Sequence, residues 1–226
     1  MFIAKHFVNT TALILLLLTY AMPAQAQMSP QGSLSLGLGV PVGDFEQNVD
    51  QLGYGANLYL GLETPNSPIG VGVEAAFFVM GESTSSLPFN EMGSGVATTT
   101  NNVVQPHLVL RLQPHGGIIS PYLEGLFGFK YLYTRTRLED PLQPNESFGG
   151  SQNFDDFTLS GGGGAGMQIR VGGDASSDFY LNLGVQYLLG GKADYLDIKE
   201  GFDPENPRVK ESATTMLIPM IGVAFR

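Results

Sequence analysis

The sequence predicts an all-β protein, an eight-stranded antiparallel up-and-down transmembrane β-barrel. Three observations lead to this prediction. Eight segments alternate between apolar residues and small or polar ones, the apolar face carries the larger side chains, and long and short connections alternate between the segments. Alternation with a period of two is typical of strands that meet a different environment on each face. With 30 glycines, no tryptophan and 14% charged residues, the composition does not suit a helical enzyme.

The first 26 residues precede this pattern and predict a cleaved secretory signal peptide. Lys5 is followed by a short apolar run and then by AMPAQAQ, in which Ala24 and Ala26 form an A-x-A cleavage site. The run is shorter than the roughly 20 apolar residues of a membrane-spanning helix. We therefore expect a signal peptide over 1–26, one barrel domain over 27–226, and export through the inner membrane without disulfides, since the chain has no cysteine.

The alternating segments follow one another along the whole mature chain. They are SLSLGLGV (33–40), YGANLYLGL (54–62), VGVEAAFFV (71–79), VQPHLVLRL (104–112), YLEGLFGFKYLYT (122–134), FTLSGGGGAGMQIRV (157–171), FYLNLGVQYLL (179–189) and MLIPMIGVAFR (216–226). A soluble ligand-binding barrel has its apolar face inside, whereas a membrane barrel has an apolar outer band and a polar interior. Because glycine and small polar residues cannot line an apolar cavity but suit a narrow, crowded lumen, the pattern favours the membrane barrel.

The connections between the segments differ in length and in charge. The long ones are 42–52, 81–101, 136–156 and 190–213, and the short ones are 63–70, 113–120 and 172–178. The long loops carry sixteen acidic and five basic residues, in a chain with a formal net charge of −10 at pH 7. Long extracellular loops and short periplasmic turns are the outer-membrane pattern. A chain this acidic is not expected to bind nucleic acid.

Taken together, these features resemble the small OmpA/OmpX-like, opacity-protein-like outer-membrane β-barrel family of Gram-negative bacteria. The resemblance covers essentially all of residues 27–226 and includes the final GVAFR, which is similar to the assembly signal of such barrels. In that signal the aromatic residue is usually terminal, whereas here Arg226 follows Phe225. The resemblance implies contacts with outer-membrane lipids and with the barrel assembly machinery, and leaves any extracellular ligand unspecified.

The glycines Gly161, Gly163 and Gly166 satisfy G-x-G-x-x-G, a spacing found in dinucleotide-binding proteins. That fingerprint needs a helix directly after the glycines, whereas MQIRVGGDASSDFYLNL predicts a strand, a turn and another strand. We therefore expect Gly162, Gly164 and Gly166 to face the lumen, where glycine leaves room for long side chains from other strands.

Several charged residues are predicted to point into the lumen as a structural network. They are Glu74, His107, Arg111, Glu124, Lys130 and Arg170. Charges in a setting of low dielectric constant must be paired to be tolerated. His107 and His115 are the only histidines after the signal peptide, and 194–206 lacks the order of ligands in a calcium loop. We expect no metal, no cofactor and no catalytic residue.

Aromatic residues near the two ends of the strands predict girdles at the two membrane interfaces. The predicted members are Tyr54, Phe77, Tyr131, Tyr133, Phe157 and Tyr187 on one rim and Tyr122, Phe179 and Phe225 on the other. Pro106 and Pro219 lie within predicted strands of a barrel that has no free edge, so we expect a bulge or frayed pairing there.

The function expected from the sequence is structural or based on surface contacts through the four long acidic loops. A narrow channel for small solutes is the alternative, opposed by a lumen that eight strands leave just wide enough for side chains. A lipid-modifying enzyme is less favoured, because the His/Ser pairing of lipid A deacylases has no match on a strand of this sequence.

Overall fold

The computed structural model describes residues 28–49, 51–64, 67–89, 93–114, 116–140, 143–173, 178–196 and 209–226. The predicted signal peptide and His115 lie outside these ranges. The elements within them are, in chain order, β1 (Ser29–Pro41), α1 (Asp44–Asn48), β2 (Gly53–Glu63), β3 (Ile69–Phe89), β4 (Gly93–Leu112), β5 (Ile119–Asp140), β6 (Gln143–Gly173), β7 (Asp178–Gly190), β8 (Lys192–Leu196), β9 (Val209–Ala213) and β10 (Met216–Phe225). Within the described ranges, no helix is long and apolar enough to cross a membrane.

Eight of the described strands form a closed antiparallel barrel in the order β1-β10-β7-β6-β5-β4-β3-β2. The first and last strands close it, with Leu34 opposite Val223. Large apolar side chains such as Leu36 and Leu108 face outward, whereas Ser35 and Arg111 are buried inside. The predicted fold class, an eight-stranded up-and-down barrel, is therefore confirmed.

Two of the predicted long loops are largely strand in the structure. β3 and β4 stay paired as far as Phe89 and Gly93, and β5 and β6 as far as Asp140 and Gln143. Polar residues occupy both faces of these extensions in the sequence, so the apolar alternation stops although the ladder of hydrogen bonds continues. Gly81, with a φ of 91°, lies at a shift of register in β3, where a β-bulge uses the conformational freedom of glycine.

The other two long loops contain elements that the sequence pattern did not predict. Within 42–52 lies the short helix α1, and within 190–213 lie β8 and β9, which pair with each other and form a sheet separate from the barrel. Both elements follow the ends of barrel strands at the rim where the long loops lie, which we call the long-loop end. The opposite rim is the short-turn end.

Pro106 and Pro219 interrupt the ladder on one side only. Pro106 pairs with Ala75 of β3, but the pairing of β4 with β5 skips from Val104 to His107 without a change of register. Pro219 pairs with Val185 of β7, while the pairing of β10 with β1 has a similar gap. Of the two expected outcomes, a bulge or frayed pairing, both described sites show interrupted pairing and no bulge, on the side where proline has no N–H to donate.

The barrel interior as a candidate functional site

Arg111 is the central charge of the barrel interior. It lies opposite Glu124 in the β4–β5 ladder, and its Nη2 and Nε donate to Glu124 Oε2 at 2.7 and 3.1 Å. Its guanidinium carbon is 3.7 Å from the ring centroid of Tyr59 and 4.4 Å from that of Tyr122. A buried guanidinium is thereby held by a carboxylate in its plane and by aromatic faces, the contacts that this planar cation makes best.

Gln186 of β7 joins two carboxylates from the other side of the lumen. Its Nε2 donates to Glu74 Oε2 at 2.8 Å and to Glu124 Oε1 at 2.9 Å. The bonds link β3, β5 and β7, which are not all neighbours in the barrel, so the network crosses the lumen rather than lining one wall. Gln186 was not among the predicted lumen residues, although its position in the alternation of β7 places it on the polar face.

His107 connects this network to β6. Its Nε2 lies 3.0 Å from Ser160 Oγ, and its Nδ1 lies 3.9 Å from Glu74 Oε1. The order serine, histidine, carboxylate is that of a catalytic triad. The distance of 3.9 Å is too long for the orienting hydrogen bond, and all three residues are buried in the filled lumen. The arrangement therefore fits a structural contact, and it was missed in the sequence because its members lie on three separate strands.

Five of the six predicted lumen side chains lie inside the barrel. These are Glu74, His107, Arg111, Glu124 and Lys130. Lys130 lies nearer the long-loop end, where its Nζ donates to the backbone carbonyl of Thr214 instead of joining a carboxylate. The assignment of Arg170 to the network is wrong, since its side chain is 48% exposed and Nη2 lies 2.6 Å from Asp178 Oδ1. A shift of register after Arg170 brings the end of β6 to the rim beside the start of β7.

The assignment of Tyr122 to the outer aromatic girdle is also wrong. Tyr122 is 3% exposed and lies inside, in the same phase of β5 as Glu124 and beneath Arg111. Gly166 on the adjacent strand makes room for it, because a Cβ at that position would overlap the tyrosine ring. The glycine run thus accommodates a large lumen side chain.

The other predicted girdle residues have exposed or half-buried side chains on the barrel strands. They are Tyr54, Phe77, Tyr131, Tyr133, Phe157, Tyr187, Phe179 and Phe225. Tyr131 packs on two of its neighbours, with ring centroids 5.5 Å from Tyr133 and 4.6 Å from Phe157. Their position at a membrane interface stays a prediction.

Toward the long-loop end the interior contains an apolar cluster, with Gln105 and Lys130 also fully buried there, which differs from the uniformly polar lumen that the sequence predicted. Inward side chains of β3 and β10, among them Phe78, Met80, Met216 and Ile218, are fully buried in one cluster. These strands carry apolar residues on both faces there, so alternation is lost. The described interior therefore has two layers, a polar network toward the short turns and an apolar core above it.

The glycines of the segment Gly161–Gly166 leave space for side chains and backbone of neighbouring strands. The segment lies within β6 and is followed by strand, as predicted, so it offers no helix N-terminus for a phosphate. Gly164 leaves space for Glu124 and Gln186, since a Cβ there would lie 2.9 Å from Glu124 Oε1 and 3.0 Å from Gln186 Cγ. Among the described residues, no cluster of three or more His, Cys, Asp or Glu side chains is placed to hold a metal ion.

We expect Gly162→Ala to destabilise the barrel by about 1–3 kcal/mol, the usual cost of overpacking. A Cβ at Gly162 would overlap the backbone carbonyl of Tyr187, which cannot move without breaking the ladder. Gly125→Ala is the control, because a Cβ there has no described atom within 4 Å. Urea titrations of both variants in lipid vesicles measure the difference, and equal midpoints would contradict the packing role.

Comparison with known proteins gives a family and several barrels of low similarity. The sequence profile of a family described as "Outer membrane protein beta-barrel domain" matches residues 12–203. No curated protein matches the sequence.

The solved structures with a similar fold include the following three. Neisserial surface protein A has 10% identity and a TM-score of 0.42, with 87% of this chain and 93% of that chain covered. Ail, the attachment invasion locus protein of Yersinia pestis, solved with the heparin analogue sucrose octasulfate, has 16% identity and a TM-score of 0.37, covering 88% and 99%. A major outer membrane protein of Thermus thermophilus has 15% identity and a TM-score of 0.38, also covering 88% and 99%.

Proposed function

Because this chain belongs to the outer membrane protein β-barrel domain family, we propose that it is a non-conducting integral protein of the outer membrane that makes surface contacts through its acidic loops. In this proposal the signal peptide over 1–26 directs export and is removed. The apolar belt of the barrel contacts outer-membrane lipids. The long-loop end faces the outside of the cell, and the protein carries out no catalysis.

The filled interior is the observation that carries the non-conducting part of the proposal. Toward the short turns, Arg111, Glu124, Gln186 and Glu74 are linked by hydrogen bonds of 2.7–2.9 Å across the lumen. Above them lies a cluster of buried apolar side chains. Water and ions need continuous polar space, and an eight-stranded barrel leaves little room beyond its own side chains. These layers favour a closed barrel over the alternative, a narrow channel for small solutes.

The distribution of charge supports the part of the proposal that concerns surface contacts. The long loops hold sixteen of the 21 acidic residues, and among them Asp44 and Glu46 of α1 are exposed. A rim that carries charge of one sign raises the local concentration of oppositely charged groups, and salt weakens this effect. We therefore propose partners with positive charge at the cell exterior, bound more weakly as ionic strength rises.

We expect the purified wild-type protein to show no steady conductance in planar lipid bilayers, because both layers of the interior must be displaced before ions can pass. Single-channel recording at moderate salt measures this, with a purified porin in the same bilayers as the positive control. A steady, reproducible wild-type pore would contradict the proposal and favour the channel function.

A further inference from the structure

We propose that α1 (Asp44–Asn48) and the β8–β9 sheet (Lys192–Leu196 and Val209–Ala213) form a lid that closes the long-loop end of the barrel. The lid is a barrier in addition to the polar network, and it is able to open while the barrel stays intact. This inference rests on the proposed non-conducting state, but it concerns a different part of the molecule from the lumen charges.

The lid is held by an apolar contact between two loops. Phe45 of α1 is 1% exposed and Tyr195 of β8 is 3% exposed, with ring centroids 5.6 Å apart and an interplanar angle of 81°. An edge-to-face pair of this kind adds to the free energy gained from burial. A helix of five residues is not stable alone in water, so contacts such as this one must hold α1 in place.

The rings of Phe45 and Tyr195 also pack against side chains of the barrel strands. Together with Met80, Val103 and Leu132 of β3, β4 and β5, they line a cavity of about 10 Å³, which is room for about one water molecule. All five side chains belong to one buried apolar cluster. Residues from two loops thus fill the mouth of the barrel, a position from which they exclude solvent from the interior.

The base of the lid is fixed to the barrel by polar contacts. Gly191 N donates to Leu159 O at 2.9 Å, and Thr214 N donates to Gly190 O at 3.3 Å, so the two ends of the β8–β9 segment lie together. From inside the lumen, Lys130 Nζ donates to the Thr214 carbonyl. These bonds explain what the buried lysine does, since it holds the lid and does not pair with the network acids.

The β8–β9 part of the lid and the barrel are separate sheets. β8 pairs with β9 and with no barrel strand among the described elements, so lifting the sheet breaks no barrel ladder. The contacts that lifting the sheet must break include the apolar one around Phe45 and Tyr195 and the hydrogen bond from Asp194 N to Asp156 Oδ2 at 2.8 Å. Local opening of a separate unit costs less free energy than global unfolding. The geometry is therefore that of a cap hinged where β8 and β9 join the barrel strands.

Thiol labelling tests the lid directly, because the chain has no cysteine of its own. Val103→Cys places a thiol beneath the lid, and Asp44→Cys places one on its exposed surface. Both are made in the wild-type background and in a lid-released background, Phe45→Ala with Tyr195→Ala. The folded proteins in vesicles are treated with a membrane-impermeant maleimide, and folding is verified by heat-dependent migration on gels.

With the lid intact, we expect the Val103→Cys variant to react at least about tenfold more slowly than the Asp44→Cys variant. Releasing the lid should bring the two rates close together. Equal labelling rates of the two cysteine variants in the wild-type background would contradict the proposed lid. Protection of the cysteine at position 103 that persists in the lid-released background would contradict it as well. If the double alanine background does not fold, Tyr195→Ser alone is used with the same expectations. A conducting wild type would instead contradict the proposed function, so the two failures are distinguishable.

Discussion

Replacement of Arg111 by alanine should destabilise the folded barrel by about 3–5 kcal/mol, the cost of leaving a buried partner charge uncompensated. The variant removes both hydrogen bonds to Glu124 Oε2 and leaves that carboxylate buried, with the neutral amide of Gln186 as its hydrogen-bond donor among the described residues. It also removes the cation from between the rings of Tyr59 and Tyr122. Equilibrium unfolding by urea in lipid vesicles measures the free energy of unfolding.

Arg170→Ala is the matched control for this prediction. Arg170 also has a carboxylate partner, at 2.6 Å, but its side chain is 48% exposed at the rim. Ion pairs in contact with water contribute about 0–1 kcal/mol. Equal losses for the two arginine variants would show that the interior around Arg111 is wet and open, contrary to the structure.

Leu108→Arg should destabilise the barrel by about 2–4 kcal/mol, as expected for a charge at mid-depth on a lipid-facing surface. Leu108 is 64% exposed on the outside of β4, and its ladder partners Val73 and Phe127 are apolar and exposed as well. No polar group at these positions is available to receive the guanidinium. The refolding free energy in bilayer vesicles is the measurement.

Glu46→Arg provides the control for a charge placed outside the apolar band. Glu46 lies in α1 with an exposed side chain, so its replacement should change the free energy of unfolding by no more than about 0.5 kcal/mol. Tolerance of arginine at both positions would refute the assignment of the apolar face to the membrane.

The eight barrel strands could be predicted because alternation is a local property of the sequence. Leu108 lies on the opposite face of the strand from its neighbours His107 and Val109. This alternation with a period of two can be recognised from neighbouring residues alone, without knowledge of distant parts of the chain. Tyr122 and Glu124 are two residues apart on the same strand, so the alternation places both side chains inside the barrel. The prediction that Tyr122 belongs to the girdle was wrong because it relied on the aromatic side chain and not on this alternation.

The pairing of side chains within the lumen could not be predicted to the same extent. Lys130 and Arg170 both lie on strands whose inward phase is clear, yet their partners depend on the stagger between strands and on where each strand reaches the rim. Gln186 reaches two carboxylates only because the barrel is closed and narrow. Such contacts depend on diameter and register, which no single segment encodes.

The apolar core and the lid were the parts of the structure that the sequence pattern predicted least well. At Phe77 and Phe78 both faces of β3 are apolar, so alternation cannot separate a lipid-facing ring from a buried one. Phe45 and Tyr195 meet only after closure brings the first and last long loops together. A short helix in an acidic loop carries no periodic signal of its own.

The central claim is that two separate layers close the barrel, the polar network around Arg111 and the apolar layer that the lid residues Phe45 and Tyr195 complete. Single-channel recording of four proteins tests it most directly. These are the wild type, Arg111→Ala, the lid-released variant Phe45→Ala with Tyr195→Ala, and the combination of all three substitutions. We expect steady conductance only in the combination, since either remaining layer blocks the path. Steady conductance in the wild type, or in one partial variant at the level of the combination, would contradict the claim.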